Sequence, residues 1–131
     1  MTPRIDRPLS PFLTYRWTLT MAMSIVHRVT GIALYLGTLL MAWWLIATAS
    51  GPNAYATLQS FTGSWIGRIV VFGYTWALVH HMLSGIRHFA WDLGYGFEAA
   101  EREWLTRAAL IGGIVLTIAI WVVAFAIGGG R

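Results

Sequence analysis

The chain has 131 residues, of which nine are basic and five acidic, so 11% carry charge against 57% hydrophobic residues and eight Trp. With a mean hydropathy of +0.63, so few charges cannot cover the surface of a small water-soluble domain, where about a quarter of residues are normally charged. The absence of Cys excludes disulfides, thiolate metal sites and iron–sulfur ligation by this chain, and the lack of any basic run excludes a nucleic-acid-binding surface.

The first residues, Met1-Thr2-Pro3-Arg4-Ile5-Asp6-Arg7-Pro8, are polar and Pro-rich. They lack the apolar core of a secretory signal and are too short and irregular for an organellar presequence. Three charge-free stretches follow: Val29 to Gly67 (39 positions), Ile69 to Ile86 (18) and Ala108 to Gly130 (23). A helix needs about 20 residues to cross the hydrocarbon core. The first stretch is too long for one span, and Ser50-Gly51-Pro52-Asn53 breaks it with a strong turn signal. The polar segment from Gly51 to Ser64 reads as a loop with room for a short interfacial helix. In lipid the backbone must satisfy its own hydrogen bonds, so the spans are helices. The expected fold is all-α and integral to the membrane, with helices over about 21–49, 65–91 and 106–128. Residues 1–131 form a single transmembrane anchor domain in this reading, with 1–20 as a cytoplasmic N-terminal segment.

Every basic residue is Arg, and their placement gives an orientation. Arg4, Arg7, Arg16, Arg28, Arg87, Arg102 and Arg107 fall on one side of the expected membrane, and Arg68 and Arg131 on the other. The positive-inside rule puts the seven, and hence the N-terminus, in the cytoplasm. Trp17, Trp65, Trp91 and Trp104 fall near span ends, as interfacial anchors do.

Ionisable groups inside a span are costly, which makes them functional candidates. Ser24, His27 and Arg28 stand at i, i+3 and i+4 near the inner end of the first helix and project from one face. A hydroxyl and a guanidinium there suit a carbonyl or carboxylate at the membrane edge. The plainer alternative is an arginine snorkelling to headgroups. On the second helix His81, Gly85 and His88 share a face at i, i+4 and i+7, and Asp92 follows at i+11. His80 is turned about 100° away. His81 lies roughly 15 Å from the inner boundary, where an imidazole needs a partner: haem iron, or a bond to a neighbouring helix. His27 is expected nearer the inner edge than His81, which argues against it as a second iron ligand. Ser24, His27 and Arg28 share a leaflet with His81, Arg87, His88 and Asp92, a convergence that suits haem propionates or an anionic headgroup.

The tail Arg7-Pro8-Leu9-Ser10-Pro11, the run Ser24-Ile25-Val26-His27-Arg28-Val29-Thr30-Gly31, and the segment His81-x-x-x-Gly85-Ile86-Arg87-His88-x-x-Trp91-Asp92-Leu93-Gly94 carry a family resemblance. Together they resemble the cytochrome b subunit of succinate dehydrogenase, respiratory complex II, in its alphaproteobacterial and mitochondrial branch. The resemblance covers nearly the whole chain.

That resemblance implies one haem b, with His81 as an axial ligand. The other ligand would come from a second hydrophobic anchor subunit, the two packing into a haem-binding bundle. It implies Ser24 and Arg28 at the quinone site, His27 and Arg28 at the haem propionates, and Arg87, His88 and Asp92 in an inner-edge network. His80 has no constant role in the family. Electrons from succinate would pass through a flavoprotein subunit with FAD and an iron–sulfur subunit to ubiquinone, with no catalysis by this chain alone. The expected setting is the bacterial cytoplasmic (inner) membrane, ahead of the mitochondrial inner membrane. The competing readings are a related fumarate reductase subunit, a haem-free structural anchor, and a proton-conducting protein using His81 and Asp92. A third helix without ionisable groups between Ala108 and Gly130 speaks against the last.

Overall fold

The computed structural model describes residues 17–128. The Arg7-Pro8-Leu9-Ser10-Pro11 motif, Arg4, Arg16 and Arg131 lie outside the described residues. Four helices follow in order: α1 Leu19–Ser50, α2 Pro52–Gly63, α3 Trp65–Asp92 and α4 Ala99–Gly128. Among the described residues there is no strand. Helices α1, α3 and α4 have 32, 28 and 30 residues and are long and apolar enough to cross a membrane.

Local chemistry sets the joints. The Thr18 side chain caps α1, accepting from the Met21 N–H at 3.4 Å. Gly51, at φ 101°, ends α1 in a backbone region that side-chain-bearing residues rarely adopt, and Pro52 opens α2 at a position where its missing N–H costs nothing. The Ser64 hydroxyl accepts from the Gly67 N–H at 3.1 Å and so caps α3. A Cβ at residue 67 would run into the Phe61 carbonyl, so this corner needs glycine for closeness. At the other end of α3 the Tyr95 N–H bonds the Ala90 carbonyl and the Gly94 N–H bonds that of Trp91, a Schellman closure with Gly94 at φ 85°.

One boundary differs from expectation. The last helix begins at Ala99 rather than near 106. Charges mark where a chain leaves lipid, whereas Ala99-Ala100-Glu101-Arg102-Glu103 are good helix formers that carry the helix on into water. The segment after Gly51 holds the short helix it had room for, 12 residues over Pro52–Gly63.

Helix α3 is the central element, packing on all three others. It carries Gly67, Ala77, Val79, His80, Ser84 and Arg87 in buried positions, while α1 buries only Thr30 and Ala47. The buried apolar set is small (Ala47, Leu58, Ala77, Val79, Ala109), and most large apolar side chains face outward. Such a surface belongs against lipid or another membrane chain. Near the start of α1, His27 meets His81 near the end of α3. Near the end of α4, Trp121 meets Phe72 near the start of α3. Both α1 and α4 therefore run antiparallel to α3.

Candidate functional site

Where α1 crosses the second half of α3, His27, Thr30 and Gly31 form the contact face of α1, at i, i+3 and i+4. The rings of His27 and His81 stack at 4.0 Å between centroids with 12° between planes. This overturns the expectation that His27 lies nearer the membrane edge. Helix α1 starts at Leu19, so eight residues, about 12 Å, precede His27, close to the eleven residues, about 16 Å, that follow His81 to the helix end at Asp92. Stacked rings present faces to each other, so the pair does not aim two nitrogens at one iron.

The His81 Nδ1 lies 3.1 Å from the His27 carbonyl oxygen and 3.2 Å from Thr30 Oγ1. A carbonyl can only accept, so Nδ1 carries the proton. The Thr30 hydroxyl donates its own hydrogen to the same carbonyl at 2.9 Å, which leaves its oxygen to accept from His81. In the neutral ring Nε2 then bears the lone pair, and no hydrogen bond engages it among the described residues. An imidazole whose Nδ1–H is fixed by a backbone carbonyl is the usual form of a metal-ligating histidine. Gly31 permits the close approach: a Cβ there would stand 3.1 Å from His81 Cε1. One turn on from His81, a Cβ at Gly85 would meet nothing within 4 Å. His81 thus presents an unengaged ring nitrogen on a helix stretch left open at Gly85, and the residues present fit a haem. His27 Nδ1 is buried without a hydrogen-bond partner among the described residues, as a propionate-facing nitrogen would be.

The expected groupings come apart in part. His88 joins the cluster, its ring 5.4 Å from that of His27 and edge-on to Trp91 at 4.9 Å. Ser24 and Arg28 stay on an exposed face of α1, off the α3 contact. Asp92, the last residue of α3, is exposed. Arg87 turns the other way, to α4. It is 4% exposed, and its Nη1 donates to Thr106 Oγ1 at 2.8 Å. Its guanidinium also stands 4.8 Å over the Trp91 ring. Among the described residues the only ion pair is Glu103–Arg107. Arg28 and Arg87 therefore lack a carboxylate there.

His80 faces α4 as well. It is fully buried, stacked on Trp76 at 5.2 Å, with Ser84 Oγ 3.4 Å from its Nε2 and Gly113 against its Cβ. Sequence reasoning misses two site residues, Thr30 and Thr106. The first continues the i, i+3 stripe from His27, and the second has no comparable signal.

The arrangement defines a polytopic membrane protein with a ligand-ready imidazole between two spans. The family model for the succinate dehydrogenase/fumarate reductase transmembrane subunit matches residues 3–123. The succinate dehydrogenase cytochrome b556 subunit of Paracoccus denitrificans is 41% identical, over 93% of this chain and 95% of that protein. The protein of the same name from Rickettsia prowazekii is 38% identical, over 88% and 91%. The mitochondrial succinate dehydrogenase cytochrome b560 subunit of Sus scrofa is 39% identical, over 86% of this chain and 66% of that protein. The chain belongs to the family of succinate dehydrogenase/fumarate reductase transmembrane subunits, as a membrane-anchor cytochrome b subunit of complex II.

Proposed function

We propose that this chain binds one haem b through His81 Nε2 and forms part of the ubiquinone-reduction site of a succinate:ubiquinone oxidoreductase. A second hydrophobic anchor subunit supplies the other axial ligand. The observation that carries the reading is the pair of acceptors, the His27 carbonyl and the Thr30 hydroxyl, that fix the His81 tautomer. When bound, the haem supplies a one-electron centre and joins the two anchor chains.

The chain's own residues do the rest. His27 stands beside His81 and His88 beside His27, and both offer ring nitrogens to the propionates. Arg28 adds a permanent charge from the exposed face of α1, and Arg87 adds another from within the α3–α4 contact. Asp92 ends the helix at the inner edge of this network. Ser24 and Arg28, one turn apart and accessible, hold the quinone headgroup by donating to a carbonyl oxygen. As electrons arrive, those donors stabilise the charge that develops on that oxygen. Ubiquinone takes up two electrons and two protons. The electrons come from succinate by way of FAD and iron–sulfur clusters held by a flavoprotein and an iron–sulfur subunit. The N-terminus and the α3–α4 loop face the cytoplasm of a bacterial inner membrane, following the seven-to-two distribution of arginine. The names of the relatives favour succinate oxidation over fumarate reduction. The test is a split assay on the intact purified complex. Arg28→Ala and Ser24→Ala are expected to lose quinone reduction while keeping succinate oxidation by an artificial dye. Equal loss of both activities would contradict the quinone role.

A further inference from the structure

A concavity opens at the opposite end of the bundle from the histidines. All four helices enclose a crevice of 970 Å³, with Tyr55 and Gln59 of α2, Arg68 and Tyr74 of α3, and Trp121 and Phe125 of α4 in its walls. Arg68 lies thirteen residues before His81 on α3, about 20 Å away along the axis, and so belongs to the other leaflet. Its guanidinium stands 5.9 Å over the Phe125 ring. The wall beneath is fixed: the Trp121 indole donates to Thr75 Oγ1 at 3.3 Å and meets Phe72 edge-on at 5.3 Å.

Arg68 is exposed and has no carboxylate near it among the described residues. The acidic residues among those described, Asp92, Glu98, Glu101 and Glu103, all cluster at the far end of α3 and the start of α4. A cation at the mouth, hydroxyl and amide donors beside it, and a mainly apolar trough below match an amphiphile with an anionic head. From Arg68 to Thr75 the trough descends about 10 Å, most of the roughly 15 Å depth of one leaflet's hydrocarbon. A quinone would leave the charge of Arg68, which no carboxylate among the described residues neutralises, unanswered, whereas a phosphodiester satisfies it.

We propose that this crevice is a binding site for one membrane phospholipid, with its phosphodiester on Arg68 and an acyl chain in the trough toward Tyr74. The probe is the lipid that stays with the intact complex in mild detergent, counted by native mass spectrometry and by extraction. Arg68→Gln is expected to lose one phospholipid per complex relative to the parent, and Arg68→Lys to retain it. Ala124 of α4 also lines the trough, so Ala124→Trp, which fills it, is expected to lose the same lipid and decides the matter if Arg68→Gln does not assemble. The haem spectrum and succinate–quinone activity are expected to stay unchanged, because Arg68 stands far from His81, Ser24 and Arg28. Equal phospholipid counts in the parent and both lipid-losing variants would overturn the proposal. So would loss of a quinone instead of a phospholipid, or a cross-link from Ala124→Cys that places a partner helix in the trough.

Discussion

The Nδ1 of His81 sits 3.1 Å from the main-chain oxygen of His27, which leaves Nε2 as the nitrogen with a free lone pair. The Thr30 hydroxyl, bonded to both, makes this a three-group unit across the α1–α3 contact. A main-chain acceptor cannot be removed by substitution, so the unit is best probed from Thr30.

Thr30→Val removes one of the two acceptors for the His81 N–H and leaves the other. Losing such a supporting bond typically costs a metal site about tenfold or more in affinity. We expect a lower haem-to-protein ratio in the purified complex, restored by Thr30→Ser. An unchanged ratio in Thr30→Val would show that the carbonyl alone orients the ring.

Gly31 has room for little more than hydrogen beside His81 Cε1. Gly31→Ala asks the ring to give by a few tenths of an ångström, whereas Gly31→Leu forces α1 away from α3. Overpacking of this kind costs about 1–3 kcal/mol. A lowered melting temperature and a shifted haem absorption band are expected in the Leu variant, with the Ala variant close to the parent.

Arg28 and Ser24 are exposed on one helix face, so substituting them leaves no cavity. Removing a preorganised donor from a site of developing negative charge typically costs about a hundredfold or more in turnover. Arg28→Ala is expected to show such a loss in quinone reduction, and Arg28→Lys a smaller one because the charge remains without the planar fork. Dye-linked succinate oxidation serves as the control.

The Arg87–Thr106 bond joins α3 to α4 inside the bundle. Thr106→Val strands a buried guanidinium N–H, at a cost of about 1–3 kcal/mol. Arg87→Met then removes the stranded group. The double variant is therefore expected to melt above Thr106→Val, and a double-mutant cycle on melting in detergent reads the coupling. Strict additivity would show that the two side chains do not depend on each other.

Much of this architecture was legible in the sequence, for identifiable reasons. The charge-free stretches located α1, α3 and α4, because lipid excludes charge whatever the packing. They could not locate the start of α4 at Ala99, since helix propensity continues past the membrane edge. Helical periodicity correctly separated His80 from His81: one turns to α4, the other to α1. The same periodicity grouped Ser24, His27 and Arg28, but only His27 enters the helix contact. A face spanning 100° is wider than the line along which two helices touch. Thr30 was invisible for a different reason. Thr38, Thr48, Thr75 and Thr117 all bond backward to their own helix, as Thr30 does, so nothing local marks the one that also reaches His81.

The central claim is that His81 Nε2 binds haem iron, and the direct measurement is a reduced-minus-oxidised optical spectrum of the intact complex carrying His81→Ala, with His80→Ala alongside. The b-type spectrum is expected to vanish in His81→Ala and to persist in His80→Ala, whose ring is buried against α4. An unaltered haem spectrum in His81→Ala would contradict the claim.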